Sequence, residues 1–519
     1  MAIETSADMA LIDGKIVTMN KAQPYAEAIA VKENRIIKVG TTNEVSSLIG
    51  KETKIVYLDY RTVLPGFIDT HIHVADYGRF LMWLNLAETN SIIQMLNLLA
   101  QRLDRMAPGK WVVGRGWDEN RFIERRLPTR YDLDVVSPDN PVLFYHAAGL
   151  ICVINSKALE IAGITSGTAT PAGGIIEKDP ATGEPTGVLR EAATDLVWRK
   201  ISESSVDELA EVTALACEKI VEAGITGIHW LAESQADVAI LKKLSSSGKL
   251  PFRVFMVVPE HLLADSALQE GLDGEFAKIG GVEILADGYL ASKTAALSQP
   301  YHGAELENGK LSSPKELSAS ANRITKRGFQ VVIHAMGDKA IEAALSAIKK
   351  VPKKNRPRID QAALFNEALI QRVKASKAIV SVQPLVAASE FTVYSAKEHL
   401  GEERARWLYP LKTLFSKGIR VCSGSDCPME PLNPMLAIQS AVTRQAFPEE
   451  QITIHEALLM YTTNAAYATR EENLKGTIEE GKIADFTVLS QNPAETPPNK
   501  IQNIAVEMTI VNGRIIYPR

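Results

Sequence analysis

Eight short apolar runs, separated by stretches with helical periodicity, constrain the fold of this chain more than any other feature. Such alternation is typical of βαβ units, in which helices connect parallel strands. Eight is the number of strands that closes a (β/α)8 barrel. We therefore predict an α/β fold with a TIM-like barrel within residues 63–469. The runs are VLPGFIDTHIH, GITGIHW, FRVFMVV, VEILADGY, FQVVIHA, RIDQAAL, AIVSVQP and RVCSGSD.

The two ends of the chain have a different pattern, in which short alternating strands lie between turn-rich segments. The 519 residues exceed the roughly 250 to 300 at which one hydrophobic core stops growing, so more than one domain is expected. Because chain termini often lie close together, residues 1–62 and 470–519 are predicted to form one small composite β-sandwich. The long interval after the first barrel strand predicts an inserted subdomain at about residues 85–205, since structureless loops of that length are uncommon.

The composition is that of an ordinary globular protein, with 46% hydrophobic and 23% charged residues and a formal net charge of -5. This balance predicts no nucleic-acid partner. No stretch approaches the ~20 apolar residues of a membrane span and no targeting signal begins the sequence, so we expect a cytoplasmic protein without a membrane partner. The four scattered cysteines predict no disulfide framework. A homodimer is the default expectation for its assembly.

Polar side chains end several of the predicted barrel strands, at the edge where barrel enzymes place their active sites. His71 and His73 close the first run, and the period of two in a strand directs both imidazoles to the same face. His334 and Asp426 end two later runs. Three imidazoles and one carboxylate suit zinc or a related divalent ion with an open position for water. An HxH pair alone also fits a surface or hydrogen-bonded pair, but its combination with His334 and Asp426 favours a metal site.

Asp426 and His334 are the predicted catalytic residues. Water activated at the ion would attack the substrate, while Asp426 first accepts a proton and then delivers it to the leaving amine. The alternative for Asp426 is a helix N-cap in GSDCPMEP. Glu283 lies inside the fourth run, where it either bridges two metal ions or forms a buried ion pair with a lysine or arginine. Asp287 shares its face.

Ordered motifs along nearly the whole chain resemble those of the amidohydrolase superfamily, specifically amidohydrolase family 3 with its formamide-deformylase-like members. The resemblance implies a (β/α)8 barrel beside a composite β-sandwich, one or two divalent metals, and hydrolysis of amide or other C–N bonds. The motifs are PGFIDTHIH, GRGWDEN with LPTRYDLD and SPDNPV, NSKALEIAGI, GEPTGVLRE, ADGYLASKTA, HAMGDKA, GSDCPMEPLNP, YTTNAA and GTIEEGKIADFTVL.

Position by position, the resemblance implies that Glu283 stands where many relatives carry a carboxylated lysine. The sixth strand departs from the family pattern, because Gln361 occupies the position of an expected histidine. An amide is a poorer zinc ligand than an imidazole, so one ion is favoured and two remain the alternative. In the insertion, Leu150 replaces another histidine common in relatives, with His146 close by in a different register. Glu191 also matches a family motif, although it could simply support the inserted domain.

Pocket residues are expected near strand ends, at Lys293 and Gln383, and in the insertion, at Trp117, Tyr145 and His146. The function predicted for the chain is metal-dependent hydrolysis of a non-peptide C–N bond, in an amide, imide or cyclic amidine of small size. Two alternatives stay open. One is a deaminase of the same superfamily, and the other is a catalytically degenerate paralogue that retains a metal-binding barrel.

Overall fold

A parallel barrel forms the centre of the larger of two compact units, which comprises residues 1–77 and 213–519. The computed structural model describes residues 6–147, 151–201, 205–264, 268, 272, 274, 276–304 and 307–518. Each barrel strand pairs with the next one along the chain, so the predicted barrel is confirmed. The strands are β1 (Phe67–Ile72), β2 (Ile225–Leu231), β3 (Arg253–Pro259), β4 (Ala277–Leu285), β5 (Gln330–His334), β6 (Arg358–Asp360), β7 (Ile379–Val382) and β8 (Val421–Ser423).

The carboxyl ends of β1 and β8 are held together by backbone and side-chain hydrogen bonds. The Asp426 N–H donates to the His71 carbonyl at 2.8 Å, and the Ser425 N–H donates to Asp69 Oδ1 at 3.0 Å. Gly424 lies between them, and a Cβ at this position would come within 2.4 Å of the His71 backbone nitrogen. The glycine of the GSD motif therefore permits Asp426 to approach His71.

Helices follow most barrel strands and cover the outside of the barrel, as the alternating pattern predicts. Several short helices lengthen the connection between β7 and β8, and this connection also contains buried polar side chains. The helices that lie wholly within this unit between or after the barrel strands are Gln235–Ser246, Pro314–Lys326, Asp338–Ala347, Glu367–Ser376, Pro384–Thr392, Ala396–Leu400, Glu402–Ala405, Leu411–Ser416, Pro434–Val442, Ile454–Tyr461 and Thr463–Ala468. Val74–Met82 follows β1 and Val206–Glu222 precedes β2, and each belongs only partly to this unit.

Two further sheets of this unit contain the chain ends. The first, in spatial order, consists of Arg35–Gly40, Ala28–Lys32, Met9–Ile12 and Lys54–Tyr57. The second consists of Arg514–Tyr517, Val506–Val511, Phe486–Leu489, Thr62–Pro65, Lys15–Val17 and Tyr25–Ala26. Strands from both ends thus share one sheet, with Val63 opposite Val488. Alternate side chains of the two sheets form one buried cluster that includes Leu11, Ile29 and Phe486.

The second unit comprises residues 78–212 and is built around its own six-stranded sheet. In spatial order its strands are Gly174–Lys178, Pro185–Glu191, Ile151–Ile154, Val142–His146, Val112–Trp117 and Leu84–Asn85. Its helices include Ile92–Leu103, Arg130–Asp134, Ser156–Ala162 and Asp195–Trp198. The predicted domain bounds, 85–205 among them, stay predictions. Over the residues described, no helix is long and apolar enough to cross a membrane.

Candidate metal centre

Three side chains from opposite ends of the barrel sequence converge where β1 meets β8. His71 Nε2 lies 3.2 Å and His73 Nε2 lies 3.5 Å from the same atom, Asp426 Oδ1. Ligand atoms of these three residues all lie within 4.8 Å of one another. Two imidazole nitrogens and one carboxylate oxygen at this spacing form a donor set suited to zinc or a related first-row ion.

Asp426 and Gln361 both have a left-handed backbone conformation, with φ of 62° and 55°. Non-glycine residues rarely adopt this conformation, and they do so chiefly where the surrounding structure enforces it, as at functional sites. Here it accompanies a direct contact, since Gln361 Nε2 donates to Asp426 Oδ2 at 3.0 Å. The residue that replaces the expected histidine therefore binds the carboxylate oxygen that faces away from His71.

His71 is held by a fully buried network at the end of β6, which we call the His71 network and which consists of His71, Arg358, Asp360 and His229. His71 Nδ1 lies 2.9 Å from Asp360 Oδ2, and Arg358 donates to the same oxygen. Arg358 also donates to the Thr70 carbonyl at 2.5 Å and contacts His229 Nδ1 at 3.0 Å. A carboxylate on Nδ1 leaves Nε2 of His71 to bind an ion, as in many metal sites.

The charges of this network shift the titration of each member. Burial opposes a charged imidazole, but the carboxylates of Asp360 and Asp426 outweigh it and raise the pKa of His71 well above its usual value. Arg358 and His71 overcome the effect of burial on Asp360 and hold the pKa of that carboxyl well below its usual range. Burial and the Arg358 charge lower the pKa of His229, which keeps its ring neutral. The network therefore places a fixed negative charge behind His71.

Glu283 lies in β4, close enough for His71, His73 and His334 to act on its charge, and it remains partly accessible. No hydrogen bond or ion pair reaches its carboxylate within the described part of the chain. Burial raises the pKa of Glu283, although positive charge on His71, His334 or His73 opposes this change. The buried ion pair with a barrel lysine or arginine, one of the two predictions for Glu283, is thus absent from the described residues.

His334 ends β5 and is buried, and it is not one of the three converging residues. Its Nε2 is 3.3 Å from the Gly288 carbonyl, and its ring meets the Tyr289 ring edge to face at a centroid distance of 5.1 Å. Asp287 does not offer its oxygens freely, because they accept the backbone N–H groups of Ala296, Met336 and Gly337 at 2.8 to 2.9 Å. Asp287 therefore fixes the loops after β4 and β5 around His334.

His73 has a more open environment than His71. Its side chain is 22% exposed, and its Nδ1 lies 3.5 Å from an oxygen of Glu233, which follows β2. His73, Asp76 and Glu233 form a second group whose ligand atoms are within 4.8 Å of one another. Because Glu233 is largely exposed, this pair restrains His73 less than Asp360 restrains His71.

The remaining predicted residues of the barrel unit occupy two kinds of position. Lys293 is half-buried in the tight turn after β4, with φ of 55° and its N–H donating to the Leu290 carbonyl. Gln383 directly follows β7 and is fully buried.

The predicted residues of the insertion lie within the second unit. Trp117 is fully buried and donates from its indole N–H to the Phe144 carbonyl at 3.0 Å, as a core residue does. His146 Nε2 is 2.9 Å from Glu119 Oε2, and Tyr145 stacks on Trp83 at a centroid distance of 6.1 Å. Glu191 is exposed at the end of a strand. Leu150 lies outside the described residues.

Sequence reasoning did not find Asp360, Arg358 and His229 as parts of the site. A signal existed, because arginine and aspartate alternate within the short run RID, where buried charges demand partners. Their partners are remote in sequence, however, and no local pattern connects residue 71 with residue 360.

Several known proteins resemble this chain over most of its length. The family model described as the amidohydrolase family matches residues 54–517. YtcJ of Bacillus subtilis, whose name describes it as a candidate amidohydrolase, is 32% identical over 98% of both chains. The N-substituted formamide deformylase of Arthrobacter pascens is 28% identical over 99% of this chain and 98% of its own.

A solved structure with the same fold is that of an uncharacterized metal-dependent hydrolase from Pyrococcus furiosus. It is 28% identical, has a TM-score of 0.79, and aligns with 94% of this chain and all of its own. The family match spans most of the chain, and hydrolysis of a C–N bond is consistent with it. The chain is an enzyme that belongs to the amidohydrolase family.

Proposed function

We propose that the chain is a metal-dependent hydrolase that cleaves a C–N bond in an amide, imide or cyclic amidine of small size, with Asp426 as general base and general acid. The observation that carries this proposal is the convergence of His71 Nε2, His73 Nε2 and Asp426 Oδ1 at the end of the barrel. A metal-dependent hydrolase of the same fold from Pyrococcus furiosus supports it.

The residues present fit a divalent ion. His71, His73 and Asp426 would hold it, with His334 and Glu283 as the further ligands that we predict. The Glu283 carboxylate supports this arrangement, since a partly buried carboxylate that has no hydrogen-bond or ion-pair partner among the described residues is stabilised by a cation. We propose zinc, because imidazole and carboxylate donors suit it, and one ion, because Gln361 offers only an amide.

A bound ion would supply Lewis-acid polarisation of the substrate carbonyl and would lower the pKa of a water molecule. The side chains supply the proton transfers and the geometry. Asp426 Oδ2 accepts one hydrogen bond from Gln361 and keeps a lone pair for the proton of the attacking water. Asp426 then returns that proton to the leaving nitrogen. Gln361 restricts rotation of the carboxylate, and Asp360 keeps His71 Nε2 directed at the site.

Metal analysis tests the proposal directly. We expect one zinc-like ion per chain in the wild type, retained in the exposed-site control His455→Ala and lost in His71→Ala. Gln361→His should raise the content to two if this position is a second metal site. Wild-type protein that takes up no divalent ion under any loading condition would contradict the proposal and favour the degenerate paralogue.

Activity on N-substituted formamides tests the role of Asp426. Asp426→Asn removes the charge with little change in volume, so we expect a loss of about 10² to 10⁴ in kcat with the fold retained. Unchanged turnover would exclude the proton transfer assigned to Asp426.

Deamination by the same residues is the alternative. Gln361 motivates this alternative. Without a histidine at that position, the remaining ligand set is His71, His73, His334 and Asp426, which resembles the set of single-metal deaminases in the superfamily. Product analysis distinguishes the two reactions, since a deaminase releases ammonia and an amide hydrolase releases the substituted amine.

A further inference from the structure

Three buried polar side chains in the connection between β7 and β8 have no hydrogen-bond or ion-pair partner among the described residues. We call them the Glu390 group, and they are Gln383, Glu390 and Tyr409, with 0%, 2% and 0% of their surface exposed. The mechanism proposed above does not use them. Buried polar groups are hydrogen-bonded in most proteins, so an exception near an active site requires an explanation.

Glu390 is the charged member of the group. It lies in the helix Pro384–Thr392, and no hydrogen bond or ion pair to its carboxylate occurs among the residues that the structure describes. Burial alone raises the pKa of Glu390 to about 7. A cation that enters this position would regain the stabilisation that the carboxylate loses on leaving water.

The two neutral members each bring a polar atom without a hydrogen bond. The Tyr409 hydroxyl has no partner within the described ranges, and the same holds for both amide atoms of Gln383. Gln383 is the N-cap residue of the Glu390 helix, yet its side chain makes no capping hydrogen bond. Gln383 precedes the helix with an extended backbone and Glu390 lies within it, so both belong to the segment that directly follows β7.

The surrounding charges are mainly negative. After burial, the negative charges of Glu390 and then Asp426 are the largest factors that raise the pKa of Tyr409, which places its hydroxyl within the field of both carboxylates. Glu430 is a further carboxylate near the helix and accepts a hydrogen bond from Ser389. Arg444 also acts on Tyr409, but its guanidinium is used to donate to the carbonyls of Ala446, Tyr409 and Leu408 at 2.6 to 2.8 Å.

We propose that the Glu390 group is a substrate subsite that binds a protonated amine, with Glu390 as the counter-charge and Tyr409 and Gln383 as hydrogen-bonding partners. The subsite begins at Gln383, on the same edge of the barrel as Asp426. A substrate that occupies both this subsite and the site of hydrolysis beside Asp426 therefore carries an ammonium group separated by several bonds from its scissile C–N bond. This inference rests on the proposed function for the position of that bond.

Two formamides of equal length provide the test. N-(4-aminobutyl)formamide ends in an ammonium group, and N-pentylformamide ends in a methyl group in the same place. For the zinc-loaded wild type we expect kcat/KM to favour the ammonium compound by at least about tenfold, the ratio that one modest charge interaction supports. In Glu390→Gln the preference should fall below about threefold, and in Tyr409→Phe it should fall by a smaller factor.

The exposed carboxylate Glu398, in the next helix, supplies the matched control. Glu398→Gln should keep the full preference of the wild type. Equal kcat/KM values for the two formamides in the wild type, or an unchanged preference in Glu390→Gln, would overturn the subsite while leaving the proposed function intact.

A binding measurement separates failure of the subsite from failure of the proposed function. Pentylammonium and 1-pentanol cannot be hydrolysed, and their binding can be followed by ligand-observed NMR with metal-free His71→Ala protein, which excludes coordination of the amine to an ion. We expect binding of pentylammonium that Glu390→Gln weakens by about tenfold, even if neither formamide is hydrolysed. Equal binding of both probes to this protein would overturn the subsite independently of catalysis.

Discussion

The His71 network and the Glu390 group are both buried, but they differ in how their polar atoms are satisfied. In the His71 network, Asp360 receives contacts from both His71 and Arg358. In the Glu390 group, the charged member has no partner within the described residues. A paired network orients groups that are already present, whereas unpaired groups gain most from a ligand that arrives. We therefore propose that the first supports the metal centre and that the second binds the substrate.

The largest expected effect comes from removing the Asp360 carboxylate from the His71 network. Asp360→Ala leaves Arg358 as an uncompensated buried charge, which costs about 3 to 5 kcal/mol. It also removes the partner of His71 Nδ1, for which a 10- to 100-fold loss in metal affinity is expected. Thermal unfolding and competition with a chelator measure the two effects separately.

The double variant Asp360→Ala with Arg358→Leu sharpens this prediction. It should recover much of the stability, because the buried guanidinium is gone, but none of the metal affinity. Recovery of both quantities would show that Asp360 serves only to neutralise Arg358.

Removing the charge of Glu390 should increase the free energy of unfolding, whereas Asp360→Ala should decrease it. Its pKa of about 7 lies above the ordinary value of 4.5, so its neutral form is favoured in the folded state and stability is lost as pH rises between these values. At 1.36 kcal/mol per unit, ionisation costs the wild type about 3 kcal/mol by pH 8. Glu390→Gln should therefore be more stable than the wild type at pH 8 and about equal at pH 4.5.

Denaturant unfolding at several pH values measures this difference. Tyr409, Glu430 and Arg444 are present in both proteins, so the comparison isolates Glu390. If the free energies of unfolding of the wild type and Glu390→Gln differ by the same amount at every pH, the Glu390 carboxylate has a partner in solution.

Gln361 combines properties of both groups and should give an intermediate effect. Its Nε2 donates to Asp426 Oδ2, while its Oε1 is buried without a partner in the described chain. Gln361→Leu removes a hydrogen bond to a charged group, which contributes about 1.5 to 3 kcal/mol, so kcat should fall by roughly 10- to 100-fold. Retained metal content in this variant would attribute the loss to the orientation of Asp426, and an unaltered kcat would exclude that role.

The smallest effect is expected at Glu233, beside the more exposed ligand His73. The pair is separated by 3.5 Å and Glu233 is 63% exposed, so solvent screens it. Glu233→Gln should change zinc affinity by less than about threefold, as competition with a chelator would show. A loss as large as that of Asp360→Ala would mean that both histidines depend equally on their carboxylates.

The barrel and the residue types that converge at its strand ends could be predicted because their signals are local. Each of the eight apolar runs carries its own strand signal, and the spacing of His71 and His73 follows from the two-residue period of β1. Asp426 was predicted for the same reason, as a carboxylate directly after a strand. Predicting these positions requires only that the strands close into a barrel, and it does not require the identity of each strand's neighbours.

The amino-acid sequence by itself thus determined the barrel and which donor side chains follow its strands. Only the tertiary structure decided which buried charges meet. Asp360 reaches His71 across 289 residues and Gln361 reaches Asp426 across 65, while Glu390 meets no partner in the described chain. The physical reason is that periodicity reports which face of a strand is buried, whereas the cost of burying a charge depends on groups that other segments bring to it.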